Sequence, residues 1–205
     1  MDRGTLEGHV TFKETVVAPL VEKKTPKGQR KQAYEDAIAA AKLKKAQQAT
    51  EIRQCLIRKA DDEEWELARD LAFRTYEEFN EGDYSQEGKH NFHGYLFDPL
   101  LKEMFVRGQM QLFVAEYDDE IVGMIGLKHD SHISLLFVEG AVQRHGIGGA
   151  LVECAAQYAR NRGVKALTVH SSLYAREFYH SMNFHDTGMQ TMEDGIRYVP
   201  MELKL

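Results

Sequence analysis

The 205 residues carry 26 Lys+Arg against 32 Asp+Glu, a net charge of −6, with 43% hydrophobic side chains. That suffices for one packed domain with an appendage. Two cysteines, Cys55 and Cys154, exclude a disulfide framework and neither has a partner at metal-ligand spacing, so no metal is expected.

No apolar run is long enough for a membrane span, and MDRGTLEGHV lacks the apolar segment of a signal peptide. The expectation is a cytoplasmic protein with no membrane partner. Charge is unevenly spread. Residues 1–54 carry 11 basic and 7 acidic groups, whereas residues 61–120 carry 17 acidic and 5 basic. An acidic segment of this kind argues against nucleic acid and favours a cationic ligand.

Residues 1–28 lack periodicity and read as a loosely packed, basic arm. Residues 30–53 read as a helix with a thin alanine face. That helix can pack on the main domain, stand in solvent or pair with another chain, so a homodimer is among its uses. Ile52–Ala60 alternates as a first strand. Asp61 and Asp62 then cap a helix carrying Trp65, Leu67, Ala68, Leu71, Ala72 and Phe73. The polar stretch from Asn80 to Gly94 reads as a long loop. Asp98-Pro99 opens a second helix that runs to Arg107.

Two strands follow as a hairpin, MQLFVAEYD and EIVGMIGLKHD, and then a third, HISLLFVEG. The next segment, Gln143 to Gly149, is a glycine-rich turn leading into a helix from Gly148 to Arg162. Such a turn leaves backbone N–H groups free at a positive helix end, which suits a phosphate or pyrophosphate. The strand KALTVHS, a short helix from Leu173 to Met182 and a terminal hairpin turning at Glu193-Asp194-Gly195 complete the chain. The order implies an α/β fold with a mixed sheet and helices on both faces.

Gln143-x-x-Gly146-x-Gly148 after an apolar strand resembles the Q/R-x-x-G-x-G/A turn of the GNAT acyltransferases. Ser172-x-x-Ala175-x-x-Phe178-Tyr179, ending in Met182-Asn183-Phe184, resembles that family's N-x-x-A-x-x-F-Y-e-k-x-G-F segment. Ser172 replaces the usual Asn and Asn183 the usual Gly. Asn tolerates the left-handed backbone that glycine supplies there. The resemblance covers residues 52–205, with residues 1–51 as an N-terminal extension. It implies a central, mostly antiparallel twisted sheet flanked by helices, and acetyl-CoA as cosubstrate.

By the same resemblance, the pyrophosphate lies on Gln143, Arg144, His145, Gly146, Ile147, Gly148 and Gly149. The strand of Leu136, Phe137 and Val138 splays from its neighbour to pair with the pantetheine arm. Ser172, Ala175 and Phe178 flank the thiol end. Tyr179 is the expected general acid, because acyl transfer expels a thiolate that a phenol can protonate. An attacking amine must lose a proton, and His132 stands where some members place a base. Glu139 and Glu116 are its rivals. The implied activity is transfer of acetyl from acetyl-CoA to a primary amine, in a small molecule or a protein, within a ternary complex. The acidic segment suggests a cationic acceptor. The other readings are a cofactor-binding regulator with a degenerate acceptor site and an interaction protein docking through its arm.

Overall fold

The computed structural model describes residues 55–79 and 84–205. The arm, the helix at residues 30–53 and the first residues of the opening strand lie outside that range. Strands are β1 (Leu56–Lys59), β2 (Met110–Tyr117), β3 (Glu120–Lys128), β4 (His132–Val138), β5 (Ala166–Ser171), β6 (His185–Asp186), β7 (Thr191–Glu193) and β8 (Ile196–Lys204). Helices are α1 (Trp65–Phe79), α2 (Gln86–Leu96), α3 (Pro99–Val106), α4 (Ile147–Asn161) and α5 (Arg176–Ser181). The sheet order is β1-β2-β3-β4-β5-β8-β6, with β7 beside β8. Every pairing is antiparallel except β4 with β5, which α4 connects as a crossover.

The central strands are apolar on both faces because both are covered. Along β2, Leu112 and Val114 face one cluster and Phe113 and Ala115 the other, as strand alternation requires. The first cluster joins Trp65, Leu71, Phe92, Leu96 and Phe105 from α1, α2 and α3. The second joins Leu151, Val152, Ala155 and Ala159 of α4 with Tyr179 of α5. Leu67, expected on the apolar face of α1, points outward at 61% exposure.

The expected loop from Asn80 to Gly94 is corrected. From Gln86 it is helix α2, whose apolar face is only Gly88, Phe92 and Leu96, spaced four apart. Ser85 caps it by accepting from the Gly88 N–H at 3.1 Å. The turn of the terminal hairpin then clamps it: the Ser85 N–H donates to the Gly195 carbonyl at 3.0 Å, and Asn91 Nδ2 to that of Asp194 at 2.9 Å. Tertiary packing, rather than propensity, makes this polar, glycine-containing stretch helical.

Strand β4 changes its facing part-way. Ile133 pairs with Leu127 and Leu135 with Gly126, so Ser134 is an extra residue in the ladder. Ile133 therefore packs with the α4 cluster and Leu135 with the α1 cluster. Such a bulge bends and twists a strand locally. It sits directly after the last residue that β4 pairs with β5.

Candidate active site

The pairing of β4 with β5 consists of two positions, His132 with Thr168 and Ile133 with Val169. Beyond Ser134 the strands part, and a cavity of about 670 Å³ opens between them. Ser134 to Val138 of β4 form one side, and Val169 to Ser172 the other. The glycine turn closes one end, and Phe178, Tyr179 and Met182 line the floor.

The turn is built for close backbone approach. Gly146, the residue before α4, has φ +85° and Arg144 has φ +63°. No side chain caps α4, so its first N–H groups face outward with the positive end of the helix dipole. A Cβ at Gly148 would lie 3.4 Å from the Phe178 ring, narrowing the cleft where α4 meets α5. Gln143 ties the turn to the strand, Nε2 donating to the Val138 carbonyl at 3.0 Å. The Tyr174 hydroxyl donates to Gln143 Oε1 at 3.2 Å. Free amides, a positive helix end and an open strand edge together fit an anionic group followed by an extended amide-bearing chain.

Ser172 starts the turn into α5, its Oγ accepting from the Ala175 N–H at 3.2 Å. Asn183 ends that helix at φ +64°, the left-handed conformation expected of it. Tyr179 is 3% exposed and packs edge-on against Phe178 and Phe184. Burial raises its phenol above the ordinary range, so it keeps its proton. Neither cysteine lines the cavity, and burial pushes both thiols up to about 11, with Glu116 adding to the effect on Cys55. Ser171 donates to the Ser172 carbonyl at 2.8 Å. The cavity thus holds a protonated phenol but no thiolate to act as a covalent relay.

The Acetyltransferase (GNAT) domain family matches residues 80–205. This chain belongs to the GNAT acetyltransferase family. Solved structures share its fold. A GCN5-related N-acetyltransferase from Rhodopseudomonas palustris is 21% identical with a TM-score of 0.65, over 74% of this chain and 96% of its own. The PaiA N-acetyltransferase of Thermoplasma acidophilum, in complex with coenzyme A, is 21% identical with a TM-score of 0.63, over 74% and 99%. An aminoglycoside 6'-N-acetyltransferase complexed with coenzyme A is 16% identical with a TM-score of 0.52, over 73% and 96%. No curated protein matches the sequence.

This GNAT domain gathers most of the expected site residues. Leu136, Phe137, Val138, Gln143, Arg144, Gly146, Ile147, Gly148, Gly149, Ser172, Ala175, Phe178 and Tyr179 all line the cavity. His145 does not; its Nδ1 lies 3.2 Å from the Val142 carbonyl. The expected bases lie outside it. Glu116 is on the β1–β2 edge, held by Arg58, which also binds Glu64 at 2.6 Å. Glu139 pairs with Arg74 at 3.2 Å. His132 stands on the sheet face turned away from α4, Nδ1 2.9 Å from Thr168 Oγ1. Burial, then the neighbouring charges of His170, Lys128 and His129, push its imidazole down to about 4.

The residue that sequence reasoning passed over is His170. It lines the cavity, meets the His132 ring edge-on at 5.2 Å and stacks on Tyr198 at 4.1 Å. Burial lowers its pKa, and Glu193 pulls the other way. Alternation along β5 was the available signal: Leu167, Val169 and Ser171 are buried, so His170 must face the other way. The acidic segment lines the cavity with Thr75, Phe79, Tyr84 and Phe92 rather than with carboxylates. Several of its carboxylates are paired elsewhere: Glu66 with Lys102 at 2.5 Å and Glu103 with Arg107 at 2.5 Å. Among the described residues no helix is long and apolar enough to cross a membrane.

Proposed function

We propose that the protein is an N-acetyltransferase that moves acetyl from acetyl-CoA directly to a primary amine in a ternary complex. The observation that carries this reading is the parting of β4 from β5 beside an uncapped, glycine-lined start of α4. Bound acetyl-CoA supplies an activated acetyl thioester, whose C–S bond breaks as the new N–C bond forms. The Gln143 N–H is spent on the Gly140 carbonyl at 3.3 Å, so the amides of residues 144–149 hold the pyrophosphate, and Arg144 adds charge. The β5-facing edge of β4 along Leu136, Phe137 and Val138, where pairing with β5 has ended, aligns the pantetheine arm, with the Val138 carbonyl held by Gln143 Nε2, while Ser172, Ala175 and Phe178 bound its end.

Two proton movements remain for side chains. The incoming ammonium has a pKa near 10 and must be neutral to attack. His170, whose lowered pKa keeps it neutral at pH 7, receives that proton directly or through water. Tyr179 holds the proton that the departing sulfur takes. Direct transfer is favoured because no described cysteine reaches the cavity and Ser171 and Ser172 are engaged with backbone.

The test is incubation of the full chain with acetyl-CoA and primary amines, read as thiol release and as the N-acetyl product by mass spectrometry. Amine-dependent thiol release with product is expected. A protein that neither binds acetyl-CoA nor transfers from it contradicts the proposal.

A further inference from the structure

Resting on the acetyl-transfer reading, we propose that the acceptor is a small primary amine carried on an aromatic ring, rather than a polyamine or an amino sugar. The wall of the cavity on the α1–α2 side is aromatic. Tyr84 and Phe92 stand 5.8 Å apart at 67°, and Phe92 and Phe137 stand 6.0 Å apart at 50°. Tyr76 packs behind Phe92 at 4.3 Å, so the ring is supported from the back. Aromatic rings gain most from partners that offer faces and edges at such separations.

The wall is also fixed in place. Phe92 belongs to α2, and Ser85 and Asn91 pin α2 to the turn of the terminal hairpin. Tyr84 bridges to Ile196 of β8. A pre-formed apolar wall spends little of the binding energy on ordering itself.

Charge points the same way. Among the described residues, the charged side chains lining the cavity are Arg144 on the glycine turn and Glu177 on α5. The Glu177 side chain is 89% exposed, so it faces solvent rather than the wall. A polyamine or aminoglycoside brings further ammonium groups that need carboxylates, and none is offered by α1, α2 or β4. A single amine on a ring needs one proton acceptor, which His170 supplies at the β5 side. The acidic segment therefore acts through its aromatic residues.

The experiment compares 2-phenylethylamine, spermidine and kanamycin as acceptors for the full chain, by thiol release at saturating acetyl-CoA. We expect kcat/KM for 2-phenylethylamine to exceed both others by about tenfold or more. Phe92→Leu and, separately, Tyr84→Leu should raise KM for 2-phenylethylamine about fivefold or more while calorimetric acetyl-CoA affinity is unchanged, which also shows that each variant is folded. Equal or greater efficiency with spermidine or kanamycin overturns the proposal, as do variants that leave the order of acceptors and KM unchanged. Acetyl-CoA binding with no amine acetylated overturns it while leaving the cofactor site standing. Absence of acetyl-CoA binding removes the transferase reading and this one together.

Discussion

In the proposed transfer Tyr179 and His170 would divide the proton work, and each makes a separable prediction. Tyr179→Phe keeps the ring packed between Phe178 and Phe184 and removes only the hydroxyl. It should lower kcat about tenfold or more with acetyl-CoA affinity intact, measured by thiol release and calorimetry. Unchanged kcat would remove the acid role. His170→Ala should lower kcat/KM by about tenfold at neutral pH, with the loss shrinking as pH approaches the pKa of the acceptor ammonium. His132 makes a stability prediction. Its imidazole is pushed to about 4, whereas an unfolded chain's takes a proton near 6.5. Between those values the unfolded state binds the extra proton, so stability is lost as pH falls from 6.5 towards 4. In His132→Asn the urea midpoint should fall less between about pH 7 and pH 5 than in the parent protein. Parallel slopes for the two proteins would contradict the assignment. His132 drew attention in the sequence because its spacing from Gly146 fits a family position. Its confinement beside Thr168, with His170 at the cavity instead, depends on β4 and β5 pairing, which no local pattern states.

At the scale of elements, α2 and the terminal hairpin form one unit. Two glycines of α2 test this with opposite signs. A Cβ at Gly94 meets nothing within 4 Å, so Gly94→Ala should stabilise by about 0.5–1 kcal/mol through helix propensity. A Cβ at Gly88 would collide with the Gly195 carbonyl, so Gly88→Ala should destabilise by about 1–3 kcal/mol despite the same propensity gain. Chemical denaturation of both variants checks the pair; equal shifts would mean that the hairpin does not clamp the helix. This unit explains what the sequence hid. Phe92 and Leu96 alone give too thin a stripe to signal a helix, and Gly88 becomes intelligible only with Gly195 above it. The glycine turn, by contrast, was legible because its chemistry is local. Gly146 at φ +85° and Asn183 at φ +64° occupy the conformations that their residue types favour.

For the whole molecule, the seam between β4 and β5 would, under the proposed function, separate two tasks. The side of α4 and α5 carries the glycine turn, Phe178 and Tyr179, and the side of α1 and α2 carries Phe92 and its aromatic neighbours. Two motifs in chain order made the first side readable. Apart from Phe137, the second is assembled from residues more than forty positions from either motif, Tyr84 and Phe92 among them, which composition registered only as acidity. Ser134, the extra residue in β4, sits at the seam, directly after the last residue that β4 pairs with β5. Because the cofactor would span elements from both halves of the sheet, binding should protect the whole domain. At about 100 times Kd, acetyl-CoA should add about 2.7 kcal/mol and raise the thermal midpoint by about 5–10 °C. The most direct measurement of the central claim is isothermal titration of the full chain with acetyl-CoA. The account predicts saturable binding of one acetyl-CoA per chain, strongly weakened in Gly148→Leu, whose side chain would enter the space beside Phe178. No binding by the parent protein, or equal binding by the variant, would contradict it.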